Sequence, residues 1–186
     1  HSRSSKISSQ YQHGTPLHDS HLVSLLEDTL YYPDGQINDE VYVYGSFLQS
    51  KMYQQGVTCS DCHNPHSLKL KAEGDGTCLQ CHASNQFATS NHHHNPQDSE
   101  AARCVSCHMP AKNYMVVDPR RDHSFRIPRP DLSDQLGTPN ACSGCHSDKD
   151  NAWASAQAKH WYPNPKPGYQ TYAAVLFAAR AGYREA

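Results

Sequence analysis

Every cysteine in this 186-residue chain lies in one kind of pentapeptide, Cys-x-x-Cys-His, and the pentapeptide occurs four times. The copies are Cys59-Ser60-Asp61-Cys62-His63, Cys78-Leu79-Gln80-Cys81-His82, Cys104-Val105-Ser106-Cys107-His108 and Cys142-Ser143-Gly144-Cys145-His146. This is the attachment pattern of c-type haem. Its two thiols add across the porphyrin vinyl groups as thioethers, and the adjacent histidine ligates the proximal face of the iron. Four copies imply four covalent haems and a chain built to carry electrons. Cys59, Cys62, Cys78, Cys81, Cys104, Cys107, Cys142 and Cys145 are the expected attachment residues. His63, His82, His108 and His146 are the expected proximal ligands.

Three other readings of paired cysteines account for less. A disulfide scaffold fits the even count but not the histidine after every second cysteine. Structural zinc tolerates any residue there and needs its ligands paired between knuckles. A thioredoxin-like motif occurs once, beside a βαβ pattern that this sequence lacks.

Composition points the same way. The chain is 37% hydrophobic and 9% aromatic, with a mean hydropathy of −0.80, and its 12 prolines and 10 glycines interrupt long regular elements. A conventional core is thin on these numbers, so the porphyrins are expected to supply apolar surface and their removal to unfold the chain. Formal charge is −2. Each haem adds two propionates and, when oxidised, one positive charge, which takes the holoprotein to about −6 oxidised and about −10 reduced. That balance disfavours nucleic acid and anionic membrane as partners. Arg120, Arg121, Arg126 and Arg129 form a cluster expected to clamp propionates, because guanidinium pairs bidentately with carboxylate. No stretch approaches the ~20 apolar residues of a membrane span. The chain begins at His1 without a signal peptide and is expected to be a processed or truncated product. Covalent haem attachment occurs outside the cytoplasm, so a periplasmic or extracellular location is expected.

Local signals predict a mainly α chain with much irregular structure, wrapped around stacked haems, with little or no sheet. Asp19 or Ser20 caps a predicted helix to about Leu30, with Leu22, Leu25, Leu26 and Leu30 on one face. A turn at 31–35 leads to a second helix over about 40–55, ended by Gly56. A turn is expected at 73–76, and a short helical piece at 99–103. Residues 109–136 read as extended chain rather than sheet. Thr138-Pro139 is expected to start a helix carrying the fourth motif. Further helices are predicted over about 148–161 and from about 169 to 184, the latter with Tyr169, Tyr172, Leu176, Ala179 and Tyr183 on a packing face. A single domain over 1–186 is expected. Residues 1–56 form a helical segment supplying a distal histidine, 57–147 bind haem, and 148–186 are C-terminal helices.

Motifs start at residues 59, 78, 104 and 142. Such short intervals force neighbouring porphyrins together, which is the condition for fast electron hopping. The sixth ligands must come from the ten remaining histidines: His1, His13, His18, His21, His66, His92, His93, His94, His123 and His160. His66, three residues after His63, projects toward a haem other than its own. His21 sits on the predicted first helix. One of the 92–94 triplet is expected to ligate, His92 before His93. His123 follows Asp122, which can orient its ring. His18 is a further candidate, and His13, His160 and His1 rank lower. Met109 and Met115 are weaker thioether candidates, given the surplus of histidine.

The runs 31–52, Cys59–His66, Cys104–Pro110 and Asp118–Ser133 resemble multihaem c-type cytochromes of the cytochrome c-554-like group, in the forms that carry C-terminal tetratricopeptide repeats. In that group, His1-Ser2-Arg3 would close a further upstream motif, helical repeats would follow Ala186, and a histidine often stands where this chain has Asn95. The resemblance implies a haem-rich electron-transfer module. It is also similar to extracellular tetrahaem cytochromes that polymerise into conductive filaments with bis-His haems. The expected partners are other haem proteins or copies of itself. The competing reading is an enzyme of the nitrite- or hydroxylamine-metabolising multihaem type. That would need one open iron and proton donors such as Tyr42, Tyr44 or Lys51, which lie at helical spacing where packing also explains them. A third reading is a binding domain of a larger enzyme.

Overall fold

The computed structural model describes residues 4–39, 41–165 and 168–182. It is a run of short helices joined by irregular chain, with two small antiparallel hairpins. This agrees with the mainly α architecture expected. His1 and Tyr183 lie outside the described residues.

The N-terminal segment departs from expectation. No helix forms over 19–30. Instead β1 (Ser4–Lys6) pairs with β2 (His21–Val23), Ser5 opposite Leu22. The leucine pattern reads as a helical stripe, yet Leu22 and Leu25 are 61% and 76% exposed. Ser20, the expected cap, uses its hydroxyl on Leu17 O and on the His21 ring. Leu30 alone of the four leucines is buried, in a small cluster with Tyr31 and Val41, flanked by Leu26 and Ile37.

The second predicted helix forms in two pieces, α1 (Val43–Leu48) and α2 (Lys51–Gln54). The break falls at Ser50, whose Oγ accepts the Tyr53 N–H at 3.0 Å and so starts a new helix. Before them, Gly35 turns the chain with φ +82°, and a Cβ there would collide with the side chains of Gln49 and Tyr172.

Four short helices follow: α3 (Cys59–Cys62), α4 (Gly76–Leu79), α5 (Ser84–Phe87) and α6 (Ser90–His93). Next come a 3₁₀ turn (Glu100–Ala102) and α7 (Cys104–His108). The stretch expected to be merely extended forms a hairpin, β3 (Ala111–Tyr114) with β4 (Asp118–Arg121), and then α8 (Pro130–Leu136). The fourth motif has only a 3₁₀ turn (Cys142–Gly144) rather than the helix expected. Asn140 Oδ1 there takes the N–H groups of Cys142 and Ser143 and competes with helix continuation. Then α9 (Asn151–Trp161) packs on α8, with Leu132 and Ala154 buried. The last helix, α10 (Ala173–Arg180), is pinned to the N-terminal segment by Arg180, which donates to the carbonyls of Tyr31 and Leu26.

Protein atoms alone bury little apolar surface: among the described residues, nine apolar side chains, Pro130 included, are buried against eleven polar or charged ones. No described helix is long and apolar enough to cross a membrane.

Asp150 caps the longest helix through Trp153 N–H at 2.8 Å. Replacing it, Asp150→Ala, is expected to destabilise the holoprotein by about 1 kcal/mol in urea denaturation while leaving its visible spectrum unchanged.

Candidate haem-binding site

A single helical turn presents each motif. Residues i, i+3 and i+4 of such a turn share one face, which gathers two thiols and an imidazole. The turn is closed by the motif's own backbone: His63, His82 and His146 donate their N–H groups to the carbonyls of Cys59, Cys78 and Cys142, at 2.9, 3.0 and 2.9 Å. The first motif is started by a cap in which Asp61 Oδ2 accepts from Thr58 N at 2.7 Å, and these bonds hold the Asp61 carboxyl below its usual range.

No disulfide joins any two of the eight cysteines. Those of successive motifs neighbour one another in chain order. Cys62 lies within electrostatic reach of Cys81, Cys78 is hydrogen-bonded with Cys104, and Cys107 lies within reach of Cys142 and Cys145. Burial, then Asp75 and Cys78, push the Cys104 thiol up to about 12. Burial likewise raises Cys62, Cys78, Cys107 and Cys142. Among the described residues, no three His, Cys, Asp or Glu side chains converge as a site for a bare metal ion, so the knuckles are not paired as zinc would require.

The histidines are arranged more tellingly. The His63 ring lies 6.4 Å from that of His123, centroid to centroid, with planes 27° apart. The His108 ring lies 6.0 Å from that of His92, at 15°. A metal–imidazole bond is about 2 Å, and the nitrogen sits about 1 Å from the ring centre. Two axial imidazoles on one iron therefore have centroids about 6 Å apart. Both pairs match that separation.

Ring orientation supports the same use. Nδ1 of His63, His108 and His123 lies 3.0, 2.8 and 2.9 Å from the carbonyls of Leu68, Arg126 and Arg121. A carbonyl only accepts, so each Nδ1 carries the proton and Nε2 keeps its lone pair. This is the tautomer that ligates metal. Burial lowers the pKa of His123 and His92, which keeps both neutral, the ligating form.

Beside His123 a cavity of about 390 Å³ is lined by Tyr42, Val43, Arg120 and Arg121 as well. Its walls combine apolar surface with two guanidinium groups, as a porphyrin with propionates requires. Arg120 lies over the Tyr114 ring at 4.0 Å and pairs with Asp118. Arg121 donates to Met109 O at 3.1 Å. The other two arginines of the expected clamp are committed elsewhere. Arg129 bonds to Asp131 at 2.6 Å, and Arg126 is buried between Asp34 and Asp122.

The structure thus brings two of the expected distal histidines, His123 and His92, to motif histidines. His66 is exposed, its backbone N–H held by Asn64. His21 lies on β2 rather than on a helix, near the ring of Tyr11 at 6.1 Å. His18 falls in a 3₁₀ turn, Leu17–Asp19. His93 and His94 carry buried Nε2 atoms without a hydrogen-bond partner. Of the proton donors considered, Tyr42 lines the cavity and Tyr44 and Lys51 do not.

Several aromatic neighbours were not anticipated. Phe87 stands between the His82 and His92 rings, at 5.5 and 5.3 Å. Trp153 covers His146 at 4.8 Å, and Trp161 lies parallel to His94 at 4.6 Å. Both tryptophans of the chain lie against histidine, and the rarity of the residue was the one available signal.

The residues present fit haem on three counts: paired thiols beside an imidazole, imidazole pairs at the axial separation, and a lined cavity next to one pair. Comparison with known proteins agrees. The family described as a doubled CXXCH motif matches residues 51–87, which hold the first two motifs. The fold is similar to the crystal structure of the outer cell wall cytochrome OcwA, with a TM-score of 0.52 and 16% identity, over 94% of this chain. The chain spans 53% of the length of that cytochrome. No curated protein sequence matches it. The matched motif is the doubled CXXCH motif, and the fold is similar to that of a multihaem c-type cytochrome. Covalently bound c-type haem is accordingly the cofactor.

Asp75 ties the second motif to the third, its Oδ1 accepting the Cys104 N–H at 3.2 Å across 29 residues. Asp75→Ala is expected to cost the holoprotein about 1 kcal/mol in denaturant without changing its haem content; an unchanged midpoint would contradict that role.

Proposed function

We propose that the chain transfers electrons through four covalently attached c-type haems, each held between two histidines. When bound, each haem supplies an iron that takes up and returns one electron. The observation that carries the reading is the pair of imidazole couples, His63 with His123 and His108 with His92, at 6.4 and 6.0 Å. In this reading the four Cys-x-x-Cys segments hold the groups by their vinyl edges. His63, His82, His108 and His146 bind the proximal faces. His123 completes the first site and His92 the third. The second and fourth draw on His21, His66, His18 and His93.

Backbone carbonyls on Nδ1 keep the rings in the ligating tautomer. Arg120 and Arg121 face the propionates of the first site. The nearness of thiols of successive motifs, with Cys78 hydrogen-bonded with Cys104, supports an order of attachment sites that follows the sequence, so that an electron entering at one end meets each site in turn.

Covalent attachment outside the cytoplasm places the protein, in this reading, in the periplasm or beyond the cell. Its partners are other haem proteins or further copies of itself in a filament. Electron microscopy at high concentration separates the two, since a filament subunit polymerises and a soluble relay stays dispersed. An enzyme acting on nitrite or hydroxylamine would instead keep one iron open.

The ferric spectrum decides between relay and enzyme. The relay predicts low-spin signals only, unmoved by cyanide or nitrite. His123→Ala and His92→Ala are each expected to turn about a quarter of the iron high-spin and cyanide-binding, while exposed His160→Ala changes nothing. A high-spin component in the unaltered protein would overturn the assignment.

A further inference from the structure

Three charged side chains are buried together at the stretch of chain that runs from His123 to the carbonyl bonded to His108. Arg126, with its side chain 5% exposed, donates to Asp34 Oδ2 and to Asp122 Oδ2, both at 3.2 Å, and to Ser124 Oγ at 3.1 Å. The two carboxylates are 2% and 8% exposed. Asp34 is itself fixed by the turn at Gly35: its carboxylate accepts the Gln36 backbone N–H at 3.2 Å and the Gln36 side-chain amide at 2.7 Å. That amide also reaches Pro139 O, close to the fourth motif.

Burying such a cluster brings little stability, because desolvation offsets the ion-pair attraction. Its position gives it another use. The backbone carbonyl of Arg126 accepts the Nδ1–H of His108 at 2.8 Å, and Asp122 directly precedes His123. The cluster therefore anchors the chain behind one imidazole of each pair. Two carboxylates face the Arg126 guanidinium, and the Arg129 cation also acts on Asp34, in a low-dielectric setting where charge acts strongly.

We infer that Asp34, acting through Arg126, is a positioning residue. It orients the His108 imidazole and, together with Asp122, holds down the reduction potentials of the irons at His108–His92 and His63–His123. The inference rests on the haem ligation proposed above. A hydrogen bond to Nδ1 raises the basicity of a ligating imidazole, and a nearby negative charge favours ferric over ferrous iron. Neither effect reaches all four sites equally, so the cluster separates the potentials of the first and third sites from those of the second and fourth.

The test is a redox titration of the holoprotein followed by paramagnetic resonance, with Asp34→Asn and Asp122→Asn compared with the unaltered chain. Both variants keep side-chain volume and remove one charge. The expected result is a positive shift of the two components that His92→Ala and His123→Ala abolish, with the other two unmoved. If Asp34→Asn yields no folded holoprotein, Asp122→Asn reads the same charge. Four unmoved components, or four moving together, would overturn the inference. Absence of low-spin bis-imidazole signals from the unaltered protein would instead overturn the ligation on which it rests.

Discussion

One turn of helix, closed by a single backbone bond, organises this molecule. It brings two thiols and an imidazole onto one face and thereby makes a short segment of chain the socket for a group larger than any side chain. Successive motifs lie near one another in chain order, so the path of the backbone is also the path along them. The rest of the chain brings second imidazoles to these sockets. The β3–β4 hairpin leads directly into His123, and α6 carries His92 to the third motif.

The scarcity of buried apolar side chains follows from that arrangement. Leu30, Tyr31 and Val41 make a small cluster beneath α10, and Leu132 and Ala154 join α8 to α9. Between these patches most buried groups are polar, and Ser50, Gln36 and Arg126 are among those hydrogen-bonded. Buried polar groups that find partners specify geometry more than they add stability. A chain that positions covalent cofactors can accept that balance if, as proposed, the cofactors add apolar bulk.

Much of the site was legible in the sequence, because motif chemistry is local. The motif thiols and histidines needed only short-range pattern; of the expected distal set His21, His66, His92 and His123, the structure brings His92 and His123 beside motif histidines. Helix α9 was legible too: it was expected over about 148–161 and forms over Asn151–Trp161. The elements that escaped are those whose cause is distant. The β3–β4 hairpin turns through Met115 and Val116 at positive φ, with no Gly or Asn to announce it. The leucines at 22, 25, 26 and 30 carry a helical period, yet residues 21–23 pair with a strand fifteen or more positions earlier. The Asp34–Arg126 bond spans 92 residues, and no local pattern distinguishes a buried arginine from a surface one.

The central claim is that every one of the four motifs is a filled socket. Proteolysis of the denatured protein followed by peptide mass mapping tests it directly. The account predicts four peptides, one for each Cys-x-x-Cys-His segment, each carrying one tetrapyrrole and no alkylatable thiol. Free thiols recovered from any of the four, most tellingly from Cys142 and Cys145 on their short 3₁₀ turn, would contradict it.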